Sequence, residues 1–318
     1  MRTYDPQPLL FFPAPYPGES IYSVLCRYHV RSGNATNRKT ILQLFGVFGS
    51  LCSTLLLPSM MTCFHSWTAN EPTINADYLF RNHTAYSLCS LRSFSEYGTG
   101  HFSASLQNLC SWRTSRWNYH QCLIQHPSDS LRYCPACADS QRKLYGESYW
   151  QILPQLDGVE YCPVHGTRIA STSIHTRDLI YSFYPADTVI SENIPVYFES
   201  DSLWYREEHT VRFPQLFIAM AKVVAYLWEN LPLNSGIWSV LPRYRAILST
   251  KNEFWQSTEC VRKIFTSSLE PPPLIRWLVT NITSCHESGY IYPCSFTLSE
   301  HAMMISMLSD SPQHFFDR

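Results

Sequence analysis

At 318 residues, 45% hydrophobic and 15% charged, the chain has enough apolar material for two or three separately cored domains and too little charge for a disordered polymer. A formal net charge of −1 excludes the pervasive basic character of an autonomous high-affinity DNA binder. The charge is uneven: nine basic against five acidic residues in 1–127, five against six in 128–180, and ten against fourteen in 181–318. Nine of the twelve cysteines lie outside the one clear cysteine motif, scattered from Cys26 to Cys294. The apolar run Leu9 to Phe12 is too short for a secretory core and is followed by prolines, so a reducing cytoplasm with buried free thiols is the expected setting. Thr40 to Phe64 carries no charge, but Gln43, Gly46, Gly49 and Pro58 divide it into pieces too short to span a bilayer, and no membrane partner is expected.

In chain order, Gly18-Glu-Ser20 opens a helix with Ile21, Val24, Leu25 and Tyr28 on one face, and Gly33-Asn34 closes it. Thr36 caps a second helix whose Ile41, Leu42, Leu44 and Phe45 gather on one face until Gly46. Two short helices across a Ser-Gly-Asn turn suit a helix-turn-helix, with Arg27, Arg31, Arg38 and Lys39 near the turn as candidate DNA or partner contacts. Ala76 to Phe94 reads as a further helix, and Leu106 to Trp117 as one or two more turns. Arg113 and Arg116 beside Trp112 and Trp117 suit either phosphate pairing or a core edge.

The sharpest motif follows. Cys134-Pro-Ala-Cys137 and Cys162-Pro-Val-His165 are two knuckles of identical grammar, separated by twenty-four residues. Two residues between ligands allow paired side chains to converge on one ion, and three thiolates with one imidazole complete a closed tetrahedron. This pattern predicts one structural Zn²⁺ site. Between the knuckles, Ala138 to Tyr145 suits a helix, Gly146-Glu-Ser148 a turn, Tyr149 to Leu153 a strand, and Thr167 to Ser171 a returning strand. Cys122, His120 and His126 lie nearby without knuckle spacing.

After about residue 180, tyrosines and prolines predict irregular chain until Pro214. Phe213 to Leu231 is the clearest helix, with Phe217, Met220, Ala221, Val224 and Leu227 on one face and Pro232 as its stop. Tyr244 to Leu248, Glu259 to Leu269, Pro273 to Thr280 and Leu298 to Leu308 read as further helices. Cys285, His286, Cys294 and His301 fit no standard second metal knuckle. The expected fold is mainly α and multidomain: an amino-terminal helical, helix-turn-helix-like domain at 1–127, a small zinc-knuckle module at 128–180, and a mainly helical carboxy-terminal domain at 181–318.

Arg132-Tyr-Cys-Pro-Ala-Cys137, Tyr145-Gly-Glu-Ser-Tyr-Trp150, Gln155-Leu-Asp-Gly-Val159 and Cys162-Pro-Val-His-Gly166 together resemble the TniQ/TnsD family of transposon target-selection proteins. So do the earlier Pro15-Tyr-Pro-Gly-Glu-Ser-Ile-Tyr-Ser-Val-Leu-Cys-Arg27, Leu56-Leu-Pro-Ser59 and His83-Thr-Ala-Tyr86. Leu241 to Leu248 and Ser299 to Ile305 carry a weaker similarity to TnsD-type members. The resemblance implies a non-enzymatic bacterial adaptor. Such an adaptor recognises target DNA, or rides on an RNA-guided CRISPR effector, and recruits a TnsC-like AAA+ transposition ATPase that brings the transposase. It implies zinc on Cys134, Cys137, Cys162 and His165. Two departures stand out. Pro154 occupies a position where members often have histidine, and Arg318 ends the chain earlier than many DNA-reading TnsD proteins. That ending implies either a missing carboxy-terminal specificity region or a shorter member that relies on another targeting complex.

Enzyme motifs are missing where they would be needed. The chain contains no G-x-x-x-x-G-K-[ST] phosphate loop, no H-E-x-x-H and no deaminase H-x-E before a P-C-x-x-C, and a saturated Cys₃His site has no position for an activated water. The rival expectation is a generic zinc-ribbon transcription or repair scaffold, which lacks the flanking Gly-Glu-x-Tyr-Trp and His-Gly context.

Overall fold

The computed structural model describes residues 9–46, 56, 67–70, 73–89, 129–192, 194–197, 211, 214–230 and 297–316. The expected helices at Leu106 to Trp117, Tyr244 to Leu248, Glu259 to Leu269 and Pro273 to Thr280 lie outside these residues. So do Arg113, Arg116, His120, Cys122, His126, Cys285, His286 and Cys294, the weaker similarity at Leu241 to Leu248, and most of the uncharged stretch beyond Gly46. Among the described residues, no helix is long and apolar enough to cross a membrane.

The described chain is mainly helical with one small sheet. Helix α1 (Ile21–Ser32) starts where the Ser20 hydroxyl accepts the Ser23 amide and stops at Gly33, whose φ of 64° suits a residue without Cβ. Helix α2 (Asn37–Phe45) starts at Thr36, which accepts the Lys39 amide, and ends at Gly46. His29 reaches from α1 to the Thr40 hydroxyl at 2.7 Å and stacks on Phe183, which holds the corner between the helices.

The helix expected over Ala76 to Phe94 divides in two, α3 (Ala76–Asn82) and α4 (Tyr86–Cys89). Tertiary partners claim the backbone between them. The Ile21 amide donates to the His83 carbonyl, the Trp228 indole to the Thr84 carbonyl, and the Ala85 amide to the Leu56 carbonyl. Local apolar spacing cannot register partners that lie tens of residues away.

Strand β1 (Ser130–Tyr133) precedes the first knuckle and pairs antiparallel with β2 (Ala170–His175), Arg132 opposite Ser171 and Tyr133 opposite Ala170. Between them lies α5 (Pro135–Tyr145), which begins inside the first knuckle rather than after it. Cys134 acts as its cap and Pro135 supplies a first residue that needs no amide bond. The expected strand over Tyr149 to Leu153 is extended only as far as a single bridge, Gln151 opposite Glu19, and then tightens into a 3₁₀ turn at Leu153–Gln155. The returning strand arrives slightly late: Arg168 bridges Tyr161, and β2 proper starts at Ala170.

The outer edge of β1 is closed by a side chain. Gln155 is fully buried; its carbonyl accepts the Arg132 amide at 3.0 Å and its amide donates to the Arg132 carbonyl at 2.6 Å. One glutamine thus supplies both hydrogen bonds that a neighbouring strand would give.

Beyond β2, a 3₁₀ turn (Thr176–Ile180) leads to α6 (Ala186–Glu192), a helix within the stretch expected to be irregular. Helix α7 (Pro214–Asn230) is the expected apolar helix, and α8 (Leu298–Leu308) packs along it, followed by α9 (Pro312–Phe316). Thr297 and Glu300 cap α8 reciprocally. Met220, Val224 and Leu227 of α7 and Met303, Met304 and Ile305 of α8 are buried in the same apolar core as Trp150 and Tyr22. Trp150 is its hub: fully buried, it accepts from the Ser20 amide, donates its own amide to Ser23 Oγ, and sends its indole N–H to the Tyr184 carbonyl.

Replacing Gln155 by Ala strands two buried backbone groups of Arg132, so the Gln155→Ala chain is expected to lose about 1–3 kcal/mol, read as a lower urea midpoint at an unchanged slope. An unshifted midpoint would remove the edge-closing role.

Candidate metal centre

The two knuckles converge. The ligand atoms of Cys134, Cys137, Cys162 and His165 all lie within 4.8 Å of one another. Cys137 Sγ is 3.6 Å from Cys162 Sγ, and His165 Nδ1 is 3.3, 3.5 and 3.7 Å from the sulfurs of Cys137, Cys162 and Cys134. A tetrahedral cation with bonds of about 2.3 Å to sulfur and about 2.1 Å to nitrogen requires edges of about 3.8 Å between sulfurs and about 3.6 Å from sulfur to nitrogen. The observed edges fit that frame.

Local chain geometry delivers the ligands. In each knuckle the amide three residues on donates back to the first sulfur at 3.4 Å: Cys137 N to Cys134 Sγ, and His165 N to Cys162 Sγ. The second knuckle closes through the Gly166 amide, which donates to the Cys162 carbonyl, with Gly166 at φ 63°. A Cβ there would stand 3.5 Å from Ile218 of α7, so the knuckle sits against the carboxy-terminal helix. The Thr167 hydroxyl lies 3.1 Å from Cys134 Sγ and supplies an outer-shell donor to thiolate. Cys134 and Cys162 are buried, Cys137 is partly exposed and His165 exposed.

The crowded donor set suits a cation. Cys134 is pulled below the usual thiol value by hydrogen bonds from Cys137 and Cys162, while Cys137 is pushed up by its hydrogen bonds to Cys134 and Cys162 and by burial. Three crowded thiols resist losing all their protons together, and a bound divalent ion removes that resistance.

The four candidate cations are not brought together on one surface. Arg27 is 6% exposed and turned inward. Its Nη1 donates to Glu19 at 2.8 Å, its Nε to Glu147 at 2.9 Å, and its guanidinium lies 3.8 Å over the Tyr16 ring. Arg31, about half exposed, shares Glu147 at 2.6 Å. Arg38 and Lys39 stand exposed in the first turn of α2, which holds no acidic residue.

This ionic knot escaped the sequence reading. Gly-Glu-Ser occurs twice, at 18–20 and 146–148, and that repetition was the available signal. Glu19, fully buried, also accepts from the Tyr16 amide and the Ser23 hydroxyl, and Glu147 from the Tyr16 hydroxyl. Burial pushes the Glu19 carboxyl up to about 7 against the opposing charge of Arg27 and its hydrogen bonds from Tyr16, Ser23 and Arg27.

The family model described as TniQ matches residues 10–169, a span that begins before the first Gly-Glu-Ser and ends just after the second knuckle. The chain belongs to the TniQ family. A relative of this TniQ chain, the Transposon Tn7 transposition protein TnsD of Escherichia coli, is 25% identical over 171 residues. The match covers 50% of the TniQ chain and 31% of TnsD, so the chain corresponds to about a third of that relative's length.

Above about pH 7, where Glu19 is ionised, Arg27→Met leaves it buried without its cation and is expected to cost about 3–5 kcal/mol, whereas Arg31→Ala, at the exposed end of the knot, should cost about 1 kcal/mol or less. Thermal melts of the two variants check the contrast. Because the folded Glu19 binds its proton more tightly than an ordinary glutamate, stability from this group is greatest below about pH 4.5, falls as pH rises to about 7, and is level above. Glu19→Gln keeps the neutral form at every pH. The stability of Glu19→Gln relative to wild type should therefore rise between about pH 4.5 and 7, and a flat difference would remove the assignment.

Proposed function

We propose that this TniQ protein is a non-enzymatic target-selection adaptor of a transposition system. In this reading it couples target DNA, or a DNA-bound RNA-guided complex, to an AAA+ ATPase that recruits the transposase. The observation that carries the reading is the family match over residues 10–169, together with the relative whose name is a transposition protein. We propose that it works through a helical segment at 1–127, a metal module at 128–180 and a helical segment at 181–318.

The ion proposed for Cys134, Cys137, Cys162 and His165 is Zn²⁺. Three sulfurs and one nitrogen at tetrahedral edge lengths suit that ion better than oxygen-seeking cations. With all four positions taken by side chains its contribution is structural. It ties the β1 end of the module to the turn that leads into β2, and the second knuckle rests on α7. The Trp150 contacts carry that rigidity into α1.

The candidate contact surface is reduced from the four expected cations to Arg31, Arg38 and Lys39, with Arg27 assigned to internal cross-linking. Exposed cations in the first turn of α2 suit phosphate oxygens or an acidic partner face.

Two experiments test this. Metal analysis of the purified protein should give about one zinc per chain, and Cys134→Ser should lose it, melt lower and fail to retain the ATPase encoded beside it, since metal binding is folding free energy in so small a module. A native-like melt with full ATPase retention would overturn the structural role. Separately, Arg38→Ala with Lys39→Ala should still melt cooperatively and weaken retention of DNA or the targeting complex by about tenfold. Unchanged retention would remove this surface.

A further inference from the structure

We propose that the metal module is a peroxide-sensitive clip, opened through Cys137 and closed in its oxidised form by a Cys137–Cys162 disulfide; this rests on the zinc reading above. The four ligands differ in protection. Cys134 is 1% exposed, and its sulfur takes the Cys137 amide and faces the Thr167 hydroxyl. Cys162 is 3% exposed and takes the His165 amide. Cys137 is partly exposed, and no backbone amide among the described residues donates to its sulfur.

Amide and hydroxyl donors draw electron density from a thiolate and lower its nucleophilicity, and burial denies access to an oxidant. Both effects leave Cys137 as the reactive ligand. His165, beside it at 3.3 Å, is exposed as well, so the open side of the site is the Cys137–His165 edge.

The chemistry closes without further reagents once a peroxide is present. The Cys137 thiolate attacks one peroxide oxygen, the O–O bond breaks, and a sulfenic acid and hydroxide result. The Cys162 thiolate then attacks the Cys137 sulfur, forming the S–S bond and expelling a second hydroxide. Two sulfurs have supplied two electrons, and the hydroxides leave as water after taking two protons. The cation keeps only Cys134 and His165 and dissociates. Cys162, whose sulfur is within reach at 3.6 Å, is the favoured resolving thiol over Cys134 because it carries one hydrogen-bond donor rather than two.

The choice of partner decides the outcome for the fold. A Cys137–Cys162 bond joins the two knuckles, so the module stays tied after the ion leaves and can be reset by a dithiol and zinc. A Cys134–Cys137 bond would lie within one knuckle and leave the second free.

The test uses the full chain loaded with zinc. First, metal content is measured: a protein that purifies without bound metal overturns the zinc reading and this proposal with it. With zinc present, hydrogen peroxide is added while a chromogenic chelator reports release, and the products are mapped by mass spectrometry without reduction. The expected result is one zinc released per Cys137–Cys162 disulfide and, among the three ligand thiols, a first alkylation by iodoacetamide at Cys137. Cys137→His, which keeps four ligands, should release zinc about tenfold more slowly. Should that variant fail to hold zinc, the wild-type map still decides. A Cys134–Cys137 bond, first alkylation at Cys134 or Cys162, or zinc retained with all three thiols intact would overturn the proposal.

Discussion

A guanidinium cannot be buried in one charge-poor interior without partners on its edges, and that requirement organises the chain around Arg27. Glu19 meets one edge, Glu147 the other, and Tyr16 covers its face. Since Glu147 follows α5 and Glu19 precedes α1, the pairing joins segments more than a hundred residues apart and sets the first helix against the metal module. Neutral contacts surround it. The Ser20 and Ile152 amides bond to the Trp150 and Gly18 carbonyls, and Tyr149 reaches the Pro17 carbonyl, so the ionic pairs sit within a short stretch of paired backbone.

The metal cluster and this knot lie at opposite ends of the same helix. Cys134 caps the start of α5, Cys137 sits in its first turn, and Glu147 comes two residues after its last. A helix with one end set in the Cys/His cluster and the other held by an ion pair transmits position rather than absorbing it, because its backbone bonds are satisfied internally. That arrangement holds α1 and the Cys/His knuckles in a set relation. Ser148 and Arg142 extend the same end, both bonding to Asp187 at the start of α6.

Much was legible without coordinates. Both caps of α1 and α2, the span of α7 and α8, and the convergence of Cys134, Cys137, Cys162 and His165 follow from local rules: side-chain oxygens before apolar periodicity, glycine after it, and a repeated Cys-Pro spacing. What failed has a common cause. The division between α3 and α4 and the closure of β1 by Gln155 depend on hydrogen bonds to distant residues. Its place near the turn makes Arg27 a candidate DNA or partner contact, whereas in the fold two carboxylates compensate its burial.

The amino-acid order by itself determined the caps of α1 and α2, the course of α7 and α8, and that Cys134, Cys137, Cys162 and His165 could converge, since caps, glycine conformations and two-residue knuckles act within a few bonds. Only the tertiary structure decided which charges face inward, which sulfur is left open to solvent, and how the two Gly-Glu-Ser segments lock together. Those outcomes turn on burial and on partners far along the chain, and neither quantity exists until the backbone has closed.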